Sequence, residues 1–153
     1  MITVSEERAV DFETTARIAT EAFGLKDVSF SAPRMKWLYE RGFGQGSAVV
    51  AAYDDSKKIG QIVLLHQKVY LDGAPVIATQ LIDLFILKAH RSPGLVRRLY
   101  EEVERLCERV IIMKRGRIED DDSPQQIMAR YNRATMEEVF LDVARGRVQE
   151  TMP

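Results

Sequence analysis

The stretch between Ser47 and Leu87 constrains the fold most, because it holds three β-rich segments separated by two tight-turn signals. SAVVAAYD (Ser47–Asp54) runs into the polar turn DDSKK (Asp54–Lys58), and IGQIVLLHQKVYL (Ile59–Leu71) resumes the pattern. Asp72-Gly73 then leads into APVIATQLIDLFIL (Ala74–Leu87). Turns this short leave no room for a crossover helix, so the spacing predicts hairpins and antiparallel pairing. In the last segment Leu81, Phe85 and Leu87 have apolar neighbours, as expected of a strand covered on both faces.

Helical patterns flank this meander. After a short apolar start (Ile2, Val4), Glu7–Phe23 reads as an amphipathic helix on Val10, Thr14, Ile18 and Phe23, with Gly24 as its stop. Ser31-Ala-Pro33 opens a second helix whose apolar face is Met35, Leu38 and Tyr39, and the glycines of Gly42–Gly46 end it. Pro93-Gly94 opens a third, Leu95–Glu108, with the stripe Leu95, Leu99, Val103 and Leu106 and with Cys107 on the stripe side. RVIIM (Arg109–Met113), a turn at Lys114–Gly116 and Arg117-Ile118 follow as short strands. The acidic run Glu119–Asp122 reads as solvated. Ser123-Pro124 caps the first of two closing helices, Gln125–Tyr131 and Thr135–Ala144. The order βααβββαβ(β)αα places the chain in the mixed α/β class, of the α+β type, with a largely antiparallel sheet flanked by helices. Its 153 residues suit a single domain.

Charge and cysteine content narrow the partners. With 22 Lys+Arg against 23 Asp+Glu, nothing pulls the whole chain toward nucleic acid or an acidic membrane surface. The acidic N-terminus is not a signal peptide, and no apolar run is long enough to insert in a membrane. One cysteine excludes an internal disulfide, and a cytoplasmic location is expected. His66 and His90 have no partners at ligand spacing, so no metal site is expected.

The segment LIDLFILKAHRSPGLVRRL (Leu81–Leu99) has the features of a site. A strand runs into a glycine-containing turn on a helix N-terminus, where free N–H groups and the helix dipole favour an anion. Arg91, Arg97 and Arg98 add cations suited to phosphate. With EAF (Glu21–Phe23) and the hairpin VVAAYDDSKKIGQIVLL, this segment resembles the GNAT superfamily of acyl-CoA-dependent N-acyltransferases, over about residues 1–105. The family's loop pattern, Gln/Arg-x-x-Gly-x-Gly/Ala, stands here as Arg91-Ser92-Pro93-Gly94-Leu95-Val96. Val96 replaces the final small residue, and Pro93 removes one amide donor. The resemblance implies that Arg91, Ser92, Gly94, Leu95, Val96 and Arg97 hold the pyrophosphate of acetyl-CoA or another acyl-CoA. It implies that the strand at Phe85 and Leu87 pairs with the pantetheine arm. It also implies that Asp83 serves as the general base toward a small-molecule amine, directly or through a water.

A second resemblance begins inside the third helix. EVERLCERVIIMKRGRIEDDDSPQQIMARYNRATMEEVFLDVARGR (Glu102–Arg147) is similar to the C-terminal end of an ABC-transporter ATP-binding subunit, matching at Cys107, Arg109, Val110, Met113, Gly116, Ile118, Ser123, Pro124 and Glu137–Leu141. Asp122 stands where that family has glycine. No G-x-x-x-x-G-K-[ST] is present and no histidine lies near Arg98, so independent ATP hydrolysis is excluded. The two resemblances together describe a chimera. Residues 1–105 form the GNAT-like part, and residues 106–153 form a transporter-like part packed on it or used for dimerisation. RVIIM would re-complete the sheet beside the fourth strand. The helix carrying the family's usual catalytic tyrosine is replaced, leaving Tyr131 as a substitute acid. A sheet left short has an open edge, which predicts a homodimer or swapped assembly. The alternative to an enzyme is a non-enzymatic interaction or scaffold module associated with a transporter. Trp37, Tyr39 and Phe43 complete the candidates, as core packing or as a substrate groove.

Overall fold

Backbone pairing in the first two thirds follows directly from the turn chemistry. In the computed structural model, which describes residues 1–24 and 30–146, the elements run β1 (Ile2–Glu6), α1 (Phe12–Phe23), α2 (Ala32–Arg41), β2 (Ser47–Asp54), β3 (Lys57–Leu71) and β4 (Ala74–Ile86). A 3-10 turn at Lys88–His90 precedes α3 (Pro93–Arg105), β5 (Val110–Lys114), β6 (Arg117–Asp122), α4 (Pro124–Tyr131) and α5 (Met136–Arg145). The β3–β4 and β5–β6 turns carry positive φ at both central residues, Asp72 and Gly73 in one, Arg115 and Gly116 in the other. That geometry matches the twist of the strands it joins, and glycine adopts it without a Cβ clash. Arg147, the end of the transporter-like string, lies outside the described residues.

The chain divides into two compact units, Met1–Glu102 and Val103–Pro153. The first is built on an antiparallel sheet of order β1-β2-β3-β4. Its central strands are buried on both faces: Val49–Ala52 of β2 and Ile59 with Gln61–Leu65 of β3 are at most 3% exposed. The helix α1 contributes small side chains, Thr15, Ala16, Ala19 and Ala22, around Ile18. This differs from the expected stripe, since Phe23 is 46% exposed and Val10 precedes the helix. The helix starts at Phe12 rather than Glu7 because Asp11 caps it, its carboxylate accepting from the Thr14 amide at 3.1 Å. Glu7 is needed elsewhere, as the partner of the buried Lys58. Lys58 also donates to Thr15 Oγ1 at 2.8 Å, and the Tyr53 hydroxyl donates to the other Glu7 oxygen at 2.8 Å. Burial lowers the Lys58 pKa, and the bond to Glu7 opposes that shift.

The strand β4 lies at the edge of this sheet. Only its C-terminal end is covered: Phe85, Ile86 and Leu87 are buried, whereas Val76, Ile77 and Leu81 are exposed. The expected cover on both faces therefore holds at the end nearest the candidate site and fails along the rest. Gly60 explains how β3 approaches that end so closely. A Cβ there would sit 2.6 Å from the Phe85 carbonyl oxygen.

The second unit has its own small core of Ile112, Ile127, Met136, Val139 and Val143. Here β5 pairs with β6 in a two-stranded sheet, so RVIIM does not take the expected place beside the fourth strand. The acidic run is not simply solvated. Arg109 forms a two-point pair with Asp121, and Arg130 bonds both Asp120 and Asp122. Ser123 caps α4 by accepting from the Gln126 amide, and Thr135 caps α5 by accepting from Glu138. The third helix ends at Arg105, three residues short of the expected Glu108. Cys107 thus lies past the helix, half-buried, and burial pushes its thiol pKa up.

Candidate active site

A strand that gains a residue must displace it, and β4 does so at Asp83. The register with β3 runs Gly60↔Ile86 and Gln61↔Phe85, then resumes at Val63↔Ile82. Asp83 and Leu84 thus stand opposite the single residue Ile62, which is a β-bulge. Asp83 has φ +48°, a left-handed backbone that aspartate tolerates better than most residues. Among the described residues, the other non-glycine residues of positive φ (Asp55, Asp72, Arg115 and Asn132) all lie in turns or a helix cap, so Asp83 alone has it inside a strand.

The bulge presents the Asp83 carboxylate to α2. Tyr39, buried on that helix, donates its hydroxyl proton to Asp83 Oδ2 at 2.6 Å. Gln61 of β3, fully buried, donates from Nε2 to the same hydroxyl at 2.9 Å. The direction of both bonds is fixed by counting protons: the single phenol hydrogen goes to the carboxylate, so the glutamine must give an N–H. Its own carbonyl oxygen, Oε1, is then buried without a partner among the described residues. Burial, and next the bond to Asp83, raise the Tyr39 pKa far above the usual phenol range, so the donor is the neutral phenol. The sequence placed Tyr39 on an apolar face and passed over Gln61, although one amide inside the run IGQIVLL was a signal for a polar group in the core.

Beyond the bulge, β4 leads to the N-terminus of α3. Ser92 caps this helix: its Oγ and its carbonyl both accept from the Leu95 amide at 3.2 Å, and its carbonyl accepts from Val96. Pro93 has no N–H, so three of the expected amide donors, at Pro93, Leu95 and Val96, are missing or engaged within the cap. Gly94 stands in open space, where an added Cβ would meet nothing within 4 Å. The residues fit an anion at the dipole end of a 13-residue helix, with a smaller amide set than the resemblance implied.

The arginines have structural partners. Arg91 donates to the Ile86 carbonyl at 2.9 Å and to the carbonyl of Ala22, tying the turn to the ends of β4 and α1. Arg97 pairs with Glu101 one turn on, and Arg98 grips the Ile2 carbonyl with both terminal nitrogens. Phe85 and Leu87 are core side chains, and the Leu87 amide donates to Ile59. By the alternation of a strand, the backbone groups of Phe85 and Leu87 point to β3, and those of Ile86 and Leu84 point to the open edge. The edge implied at Phe85 and Leu87 is therefore displaced by one residue, with the Ile86 carbonyl already taken by Arg91.

Other candidates fall away from this cluster. Trp37 and Phe43 are exposed, at 57% and 52%, while Tyr39 joins the site. Tyr131 packs on the apolar core of the second unit, where burial, then Asp120 and Glu119, raise its pKa. His66 bonds Thr79 across the β3–β4 ribbon at 2.9 Å. Among the described residues no group of three or more His, Cys, Asp or Glu is gathered to hold a metal, and no helix is long and apolar enough to cross a membrane. A groove of about 640 Å³ between α1 and α2, lined by Glu13, Arg17, Thr20 and Phe30 among others, includes neither Asp83 nor the α3 turn.

The mostly antiparallel sheet flanked by helices has a GNAT-like fold. Solved structures show the same fold. The chain is similar to a protein of unknown function from Enterococcus faecalis described as a probable N-acyltransferase, with TM-score 0.57 and 11% identity over 69% of this chain and 26% of that one. It is similar to an aminoglycoside acetyltransferase from an uncultured soil metagenomic sample, with TM-score 0.51 and 14% identity over 69% of this chain and 68% of that one. A GNAT family acetyltransferase from Staphylococcus aureus matches with TM-score 0.50 and 15% identity, over 69% and 76%. The chain thus spans about a quarter of the length of the first. No protein-family model and no curated protein matches. These neighbours bear on the acyltransferase fold, and the transporter likeness of residues 102–147 rests on its sequence string alone.

Proposed function

We propose that the chain is an acyl-CoA-dependent N-acyltransferase that moves an acetyl or other acyl group to a small-molecule amine. The observation that carries this reading is the carboxylate of Asp83, set on a strand bulge a few residues before an open helix N-terminus. The acyl-CoA supplies a thioester whose acyl carbon is open to attack by an amine. Asp83 accepts the proton that the attacking amine loses, at the oxygen that Tyr39 does not occupy. Ser92 and Gly94 meet the diphosphate at the exposed end of α3, where the dipole favours negative charge, while Leu95 and Val96 give their amides to Ser92 and shape the turn. Arg97 lies on the exposed side of the same turn, and Arg91 holds that turn in place. The backbone edge at Leu84 and Ile86, between the core residues Phe85 and Leu87, is the place for the pantetheine arm.

Calorimetric titration with acetyl-CoA tests the reading. Binding in the micromolar range, abolished by Gly94→Glu, is the expected result. The glutamate enters open space, so the fold stays intact while its charge opposes the diphosphate. No heat at millimolar acetyl-CoA rejects the proposal.

A second reading, a non-enzymatic interaction module with a transporter or a second copy as partner, is favoured by the second unit's hairpin. Its Ile111, Met113 and Ile118 are 42%, 63% and 54% exposed. Under this reading acetyl-CoA does not bind and the chain sediments as a dimer or larger species. A cytoplasmic location accords with either reading.

A further inference from the structure

The Gln61 amide is an anomaly in an otherwise well-packed sheet. It is fully buried, it donates to a tyrosine, and its carbonyl oxygen meets no donor among the described residues. Leaving a buried acceptor unpaired costs about 1–3 kcal/mol, and leucine would fill a comparable space without that cost. A core selected for stability alone favours the leucine. What the glutamine supplies is direction. Because Nε2 donates to the Tyr39 oxygen, the lone pair on that oxygen is occupied and its proton points to Asp83. The carboxylate in turn sits on a backbone bulge with positive φ, a conformation that persists where its surroundings hold it.

We propose that Tyr39 and Gln61 are positioning residues for Asp83. The buried amide orients the phenol, the phenol holds Oδ2, and Oδ1 is thereby aimed at the acceptor amine as the atom that takes its proton. The inference rests on the acyltransferase reading above and deepens it. Neither residue touches substrate, so neither is a catalytic residue. The proton goes from the amine nitrogen to Asp83 Oδ1 as the new C–N bond forms, while the Tyr39 proton stays on its oxygen.

The test separates orientation from folding through the double variant Tyr39→Phe/Gln61→Leu, which removes the phenol and the amide together, so that of the three groups only the part-buried Asp83 Oδ2 loses its partner. Wild type, Tyr39→Phe and the double variant are compared by thermal melting, by acetyl-CoA calorimetry and by steady-state thiol release. The acceptors are sisomicin, glucosamine and spermidine. The double variant is expected to melt near the wild-type temperature, the relief of the unpaired Gln61 oxygen offsetting the lost bond to Asp83, and to bind acetyl-CoA with Kd changed less than about twofold. Its kcat is expected to fall about 10- to 100-fold, the scale on which small misplacements of a reacting group are felt, with little change in acetyl-CoA KM. Tyr39→Phe alone is expected to lose the same activity with a lower melting temperature, because it leaves the Gln61 N–H unpaired. Full activity in the double variant overturns the inference and leaves the acyltransferase reading standing. Parallel losses of melting temperature, acetyl-CoA affinity and kcat in the double variant show a structural role and also overturn it. A wild-type protein that neither binds acetyl-CoA nor releases thiol overturns the reading and the inference with it.

Discussion

The two units treat polar side chains in opposite ways. In Met1–Glu102 they are taken into the core: Lys58 with Glu7 and Thr15 on one side of the sheet's start, Gln61 with Tyr39 and Asp83 toward its edge. In Val103–Pro153 the described core cluster is apolar and the charged pairs are made with arginines that reach solvent: Arg109 with Asp121, Arg130 with Asp120, and Arg133 with Asp142, the one carboxylate of the three that is itself buried. Rim pairs of this kind add little stability and demand little of the fold. Buried polar groups demand a rigid frame, and the first unit provides one in a sheet whose central strands are covered on both faces. The comparison teaches where to look for chemistry: a costly arrangement held in place by packing is the better candidate for a site.

The largest effect is expected from Ile127→Ala, because the second unit rests on so few apolar side chains. Ile127 is fully buried in that cluster, and truncation costs about 2–5 kcal/mol. Hydrogen exchange is expected to show loss of protection across β5–α5 with β2 and β3 unchanged. Protection lost equally in β2 and β3 breaks the division into units.

Next is Gly60→Ala in the first unit. Its methyl group would meet the Phe85 carbonyl at 2.6 Å, and overpacking of this kind costs about 1–3 kcal/mol. A lowered melting temperature with faster exchange at the C-terminal end of β4 is expected. An unchanged melting temperature refutes the close approach of β3 and β4.

The smallest effect is on acid stability. The Arg109 guanidinium holds the Asp121 carboxyl below its usual range, and the Ser123 amide, then Arg130, do the same for Asp122. A depressed native pKa gives stability that is present above the unfolded value and lost as pH falls through the folded one. Acidification below about pH 4 is therefore expected to loosen the β5–β6 hairpin, read by exchange at Ile111 and Asp121, and Arg109→Ala to reduce that pH dependence by the part Asp121 contributes. A hairpin equally protected in the variant and the wild type throughout the acid range contradicts the pairing.

The sequence made the meander legible because its turn residues, Asp54–Lys58 and Asp72-Gly73, act locally and the strand pattern around them is strong. The α3 turn was legible for the same reason, as a strand running into a glycine-containing helix start, whereas Asp83 was singled out only through the family resemblance. The bulge could not be read, since it depends on how β3 and β4 align across many residues. Neither could the Tyr39–Asp83 bond, which joins residues 44 apart through tertiary packing. Arg91 looked like a phosphate ligand because a side chain's cation is visible in sequence, whereas the carbonyls that capture it, at Ile86 and Ala22, are not. Likewise RVIIM has the composition of a buried strand, but its neighbour β6 was near enough in sequence to take its hydrogen bonds first.

The claim at the centre of this account is that Asp83 is the base of an acyl transfer, and Asp83→Asn tests it most directly. Asparagine tolerates the left-handed backbone of the bulge and accepts the Tyr39 proton, so the fold and the α3 turn are preserved. Thiol release from acetyl-CoA in the presence of amine is expected to fall about 10²- to 10⁴-fold, with acetyl-CoA affinity unchanged. Turnover equal to wild type in the asparagine variant contradicts the account.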